Sequence, residues 1–280
     1  MLLVSVIVIL AELLICSNAY PVQKQHKSQV KVKNVNYPGL KSAKPGIDKI
    51  IELAEYRNGT QSAESSHIAL LKYALEHHKQ NVHDYAGTFY KIERIGRNLT
   101  KKQVIDFKFR KEPFSLFMQW KKNPIATDRL LYVEKNKNSK MIVHPTGWLR
   151  WIKSVRRDPN GKYVYESNLY PPYAFGFMRM MKRALKIYER AEKNGDLKTK
   201  YLGKSFVEGR PCIAVEAKLP EKKNYPFASC TVRFDAKYLL PIEVKTFDWA
   251  GELRSHYLFD ELCFNVGLTD EDFKPELNGL

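Results

Sequence analysis

Cysteine is nearly missing: the chain has four in 280 residues. Cys16 lies in an N-terminal apolar run. Cys212, Cys230 and Cys263 then form an odd set, which argues against a disulfide framework. Cys212 and Cys230 sit on the two arms of one expected hairpin. With its turn near residues 223–224, Cys212 falls opposite Asp235 and Cys230 opposite Ala217. That separates the two thiols by roughly 15 Å at strand rise, whereas a disulfide needs Cα atoms within about 7 Å. Free, buried thiols are expected.

Catalytic signatures are missing as well. No H-E-x-x-H, G-x-S-x-G or G-x-G-x-x-G run occurs. Gly203-Lys204-Ser205 resembles the end of a phosphate loop, but Lys198 stands where its first glycine belongs. His77, His78 and His83 with Asp84 lack the i, i+4 spacing of a helical zinc motif and read as a polar helix terminus. Glu93, Asp106, Glu216 and Asp260 lie among strand patterns with no pairing as acid and base. They read as partners of neighbouring lysines. No catalytic residue, cofactor or metal ligand is expected, and the chain reads as a non-enzyme.

Acidic residues are few: 30 Asp and Glu against 47 Lys and Arg leave a formal charge of +17. Such a balance favours anionic surfaces, whether membrane, wall polymer or nucleic acid. The lysines are scattered on strands and turns instead of forming an arm, so no nucleic acid is expected. A solvated basic surface accounts for the charge equally well. An apolar fraction of 44% with 12% aromatics suits a globular core.

The first 19 residues have the length and apolar character of a signal peptide, with small residues Ser17 and Ala19 before a cleavage point. Glu12 interrupts the run and no basic residue precedes it. Ile15 before Cys16 disfavours a lipoprotein signal. An exported protein of periplasm or cell envelope is expected, cleaved after Ala19; retention as an anchor is the alternative. Residues 20–62 carry Lys24, Lys27, Lys31, Lys33, Lys41 and Lys44 among Pro-Gly breaks, and read as a basic flexible linker. A short helix over Ile47 to Arg57 interrupts it. Residues 63–280 read as one domain.

That domain begins with a helix over residues 64–81, with Ile68, Leu71 and Leu75 on one stripe and Ser65 or Ser66 as cap. Tyr85 to Trp120 then alternates with period two, as a meander of three strands. Asp128–Glu134 and Lys140–His144 make a hairpin turning at Asn136-Lys137-Asn138. The pattern lapses around Trp148 and Trp151, which flank Arg150, Lys153, Arg156 and Arg157. A second helix runs over residues 173–193, with Phe177, Met181, Leu185 and Tyr188 on one face. Five further strands end near Phe264. The expected class is α+β: one strongly curved antiparallel sheet of about ten strands, an incomplete barrel, with helices covering its concave face.

The runs Y-A-G-T-F-Y-K-I-E-R-I-G, F-K-F-R-K-E-P-F-S-L-F-M-Q-W, L-L-Y-V-E-K, H-P-T-G and Y-L-F-D-E-L-C-F-N-V-G-L-T-D-E-D-F resemble the bacterial DUF1571 family over residues 64–275. In layout that family is similar to lipoprotein carriers and receptors of the LolA/LolB type, half-closed barrels whose apolar cavity holds acyl chains. The resemblance gives Arg110, followed by Pro113, Phe117 and Trp120, a gating role by analogy, although Lys111 and Glu112 lie between Arg110 and Pro113.

The aromatic residues admit two readings, an ordinary core or a lined cavity. Phe114, Leu116, Met118 and Trp120 share one strand face, and Phe117 takes the other. With Phe107, Phe109, Phe177, Met181 and Leu185 they are the expected cavity wall. The expected function is non-enzymatic binding of an apolar ligand: an acyl chain, a lipid or a lipidated protein. The alternative is an envelope protein that binds an anionic polymer or membrane through its basic face.

Overall fold

A computed structural model describes residues 40–43, 48, 66–135 and 138–280 of the chain. The leader with its Ala19 cleavage point, most of the stretch read as a linker, the Ser65 cap and two of the three residues of the turn at 136–138 lie outside these. Residues 40–43 pack onto the domain. Leu40 and Ala43 are buried, and the Ala43 N–H donates to the Lys237 carbonyl at 2.8 Å.

Helix α1 spans Ser66–Asn81; of its expected stripe Ile68 and Leu71 are buried and Leu75 is half-buried, with Ala74 buried beside them. The meander follows as β1 (Asp84–Ile95), β3 (Gln103–Arg110) and β4 (Ser115–Lys122), with a two-residue β2 (Asn98–Leu99) in the first turn. The hairpin is β5 (Thr127–Val133) and β6 (Met141–Pro145), and a three-residue β7 (Val155–Arg157) extends it. A one-turn helix α2 (Lys162–Tyr165) precedes α3 (Phe177–Lys193). The chain returns through β8 (Lys198–Val207), β9 (Arg210–Lys218), β10 (Ser229–Asp235), β11 (Pro241–Phe247) and β12 (Leu253–Phe264). β9 and β10 pair Cys212 with Asp235 and Cys230 with Ala217, the register read from the hairpin's length. Both thiols are free and buried, and Cys263 is free and exposed.

The expectation of a strongly curved, incomplete barrel is corrected. The sheet is open, in the order β7-β6-β5-β4-β3-β1-β12-β11-β10-β9-β8 with β2 off β1. Two antiparallel meanders meet at one seam, β1 against β12, which leaves β7 and β8 as the two ends. Closure needs end strands that can pair. β7 is three residues long, and β8 exposes Lys198, Lys200 and Lys204, so both carry features that keep edges from pairing. β2 and β7 account for the excess over about ten strands.

The main core lies between one sheet face and the helices. Tyr85 sits at its centre, 4.7 Å from the Phe109 ring and 5.0 Å from Phe177. Its hydroxyl oxygen accepts the Phe177 N–H at 3.0 Å, which satisfies one of the orphan donors at the start of α3. Gly176 precedes that helix with φ +102°, and an added Cβ would stand 3.0 Å from Phe109 Cε2. On the opposite face Phe117 and Leu131 form a smaller core with Phe273 and Leu280, which belong to the C-terminal stretch.

Candidate functional site

Strand pairing assembles the site from alternating residues. Phe107 faces Met118, Met118 faces Leu130, Leu130 faces Val143, and Val143 faces Val155. This is one apolar row across β3 to β7. A second row runs Trp120, Ile105, Phe89, Phe259 across β4, β3, β1 and β12. Over these rows lies the crossover from Leu149 to Arg183, which contributes Ile152, Tyr163, Val164, Tyr170, Phe175 and Met180. Sheet and crossover enclose a cavity of about 480 Å³. That lies within the range of about 300–1,000 Å³ typical of small-molecule sites.

One end of the cavity is polar. One pleat beyond the second row, Gln103 faces Lys91 and Lys91 faces Tyr257. The Lys91 ammonium lies 3.3 Å from Glu93 Oε2 and donates to Asn168 Oδ1 at 2.5 Å. Tyr257 donates its hydroxyl to Glu93 Oε1 at 2.5 Å, and the Leu169 N–H donates to Oε2 at 3.1 Å. Burial, and then the Glu93 carboxylate beside it, raise the Tyr257 phenol well above its ordinary range, so it stays a donor. Trp120 Nε1 donates to Gln103 Oε1 at 2.6 Å.

Beside the cavity the surface is apolar and basic. Ile125 lines it and is 46% exposed. Trp148 and Trp151, the chain neighbours of the lining residues Leu149 and Ile152, are 83% and 76% exposed. Arg150, Lys153, Arg156 and Arg157 in the same stretch are exposed. Arg183, another lining residue, stacks over the Tyr170 ring at 4.1 Å.

Of the nine expected wall residues, Met118 and Trp120 line the cavity. Phe107, Phe109, Phe114, Leu116, Phe177 and Met181 are buried in the main core, and Leu185 is partly buried against it. Arg110 lies outside the lining. It reaches Asp270 at 2.6 Å and Ser115 Oγ at 3.1 Å, and stacks at 5.1 Å over Phe273, so it ties down the C-terminal turns. The histidine group is a polar helix terminus at His77 and His83 but not at His78. His78 is buried beside Tyr85 and Phe177, while the His77 ring bonds the Lys41 carbonyl. Gly203-Lys204-Ser205 is mid-strand in β8.

Sequence reasoning missed the crossover and the polar row. Up to Gly176 the first has no periodicity to read. The second did leave a signal: Lys91 and Glu93 share the face of Tyr85 and Phe89, and Gln103 shares that of Ile105 and Phe107.

A search of curated proteins finds no match. Among solved structures the chain is distantly similar to a putative outer membrane lipoprotein-sorting protein domain from Vibrio parahaemolyticus. There the identity is 12% and the TM-score 0.37, over 76% of this chain and 98% of that one. A DUF1329 family protein from Desulfovibrio piger gives 11% identity and a TM-score of 0.40, over 75% and 97%. LprF from Mycobacterium bovis gives 10% identity and 0.41, over 72% and 94%. The family model described as protein of unknown function, DUF1571, matches residues 82–278, and the chain belongs to that family.

Proposed function

We propose that this is an exported, non-enzymatic binding protein that holds the acyl part of a lipid or lipidated protein in the cavity between sheet and crossover. The observation that carries this reading is the continuous apolar row from Met118 to Val155 facing a cavity of about 480 Å³. An acyl chain gains about 0.8 kcal/mol for each CH₂ it removes from water, and neither a catalyst nor a metal is needed for that. Native mass spectrometry of protein from its own envelope should find a lipid-sized adduct. A fluorescent fatty acid should enter the wild type and be displaced by unlabelled lipid. Val143→Trp, which places an indole in the row, should bind the fluorophore at least about tenfold more weakly. A wild type that carries no adduct and takes up no fluorophore refutes the reading.

A second reading, binding of an anionic surface through the basic face, is supported by exposed Trp148 and Trp151 beside Arg150, Lys153, Arg156 and Arg157. Indole rings sit well at a membrane interface, and basic residues are attracted to anionic headgroups. Salt separates the two: surface binding weakens at high ionic strength and acyl burial does not.

A further inference from the structure

The polar end of the cavity is rich in donors. Trp120 Nε1 can only donate, so Gln103 must turn its carbonyl oxygen toward it. Gln103 Nε2, with two N–H donors, is then left buried with no partner among the described residues, on a side chain only 2% exposed. Lys91 has three ammonium donors, and Asn168 and Glu93 take two of them. The acceptors here are satisfied: Glu93 takes Tyr257, Leu169 and Lys91, Asn168 Oδ1 takes Lys91, and Gln103 Oε1 takes Trp120. Lys91 and Glu93 also cancel in formal charge.

A buried donor without a partner costs free energy that an incoming acceptor recovers. A ligand group that accepts only, and is neutral, fits this end. A hydroxyl would bring a surplus donor. At this end a carboxylate would bring a buried charge that the neutral Lys91–Glu93 pair does not balance; the other cations of the lining, Arg183 and Arg157, stack over Tyr170 and Tyr163. We propose that the Gln103–Lys91 end of the cavity is a subsite for the carbonyl of a neutral acyl ester or amide, which seats the polar end of the ligand while its chain lies along the apolar row. This rests on the acyl-binding reading and narrows it to O-acylated or N-acylated ligands, as opposed to hydrocarbons or free fatty acids.

The test uses the full chain and displacement of a fluorescent lipid by three probes of equal chain length: an alkane, a fatty-acid methyl ester, and the free fatty acid at alkaline pH. The ester should bind about tenfold tighter than the alkane, and tighter than the carboxylate. Gln103→Met, close in shape and without the amide, should abolish the preference for ester over alkane. An independent measurement needs no variant: the ester carbonyl stretch of the wild-type complex should move to lower frequency than in hydrocarbon solvent. If no probe displaces the fluorophore, the cavity is not a ligand site and both readings fall. If the probes bind but ester and alkane bind alike, if the carboxylate wins, or if the carbonyl stretch is unmoved, acyl binding stands and the carbonyl subsite is refuted. A Gln103→Met variant that folds and keeps the preference refutes it equally.

Discussion

Acidification to about pH 5 should remove about 4 kcal/mol of folding stability, and two buried histidines should be the reason. His67 and His78 lie on α1 and are 3% and 2% exposed. Neither ring has a hydrogen-bond partner at either nitrogen among the described residues. His67 meets Tyr188 edge-on at 5.0 Å, and His78 meets Tyr85 and Phe177 edge-on at 6.3 and 6.0 Å. Burial holds the His67 imidazole down from 6.5 to about 4. Burial, then the charges of Lys111 and His77, hold His78 down to about 3.

The folded state therefore binds fewer protons than the unfolded one below pH 6.5. This contribution to stability is whole above 6.5 and is lost as pH falls toward the folded values. Between about pH 7.5 and pH 5 each unfolded imidazole gains about 2 kcal/mol by protonation, and the folded ones gain almost nothing. The figure depends on the unfolded pKa alone, because both folded values lie below the end of the window. Carboxylates contribute little there, since their unfolded pKa values are near about 4. Urea unfolding of the wild type at the two pH values should show the loss. A His67→Phe/His78→Phe double variant should lose less than about 1 kcal/mol over the same window. It should also be no less stable than wild type at the upper pH, since replacing two unpartnered polar rings with apolar ones removes a desolvation cost. Equal losses in wild type and variant refute the assignment.

The remaining predictions concern the sheet, the helix start and the exposed rim. Lys91→Met should destabilise by about 3–5 kcal/mol by leaving Glu93 buried without its cation, and adding Glu93→Leu should restore much of it; urea denaturation reads both. Gly176→Ala should cost about 3 kcal/mol, because a residue with φ +102° would set its Cβ against Phe109. Tyr85→Phe should cost about 2 kcal/mol by leaving the buried Phe177 N–H without an acceptor. Trp148→Ala with Trp151→Ala should weaken sedimentation with anionic vesicles about tenfold or more while leaving fatty-acid uptake unchanged. Unchanged sedimentation would show that the exposed indoles take no part in surface binding.

Most strands were legible because alternation is a local property. The pattern of β3, with Val104, Asp106, Lys108 and Arg110 opposite Ile105, Phe107 and Phe109, names its own buried face. Even a register could be read where a hairpin's length fixes it, as for Cys230 opposite Ala217. Openness could not be read. An open sheet and a part-closed barrel share the same alternation, and they differ in whether β7 and β8 meet. The site was legible only in small part, for a similar reason. Met118 and Trp120 could be placed on an inward face, but whether that face meets a helix or a void depends on how Leu149–Arg183 crosses it. Up to Gly176 that segment is built from single turns and a three-residue strand with no period to read.

Two of the places where polar residues break an apolar face differ in kind. His67 and His78 are closed in by aromatic rings of the core. Gln103, Lys91 and Glu93 line a cavity. The first pair can only cost stability, most of all in acid. In the second group the cost of the unpartnered Gln103 amide can be recovered by a ligand, so the penalty becomes selectivity for what enters. Local rules broken in a real fold tend to mark function or strain, and the cavity separates these cases here. Occupancy should therefore raise the unfolding midpoint in proportion to ligand affinity. An ester should raise it more than an alkane in the wild type, and the two should raise it equally in Gln103→Met.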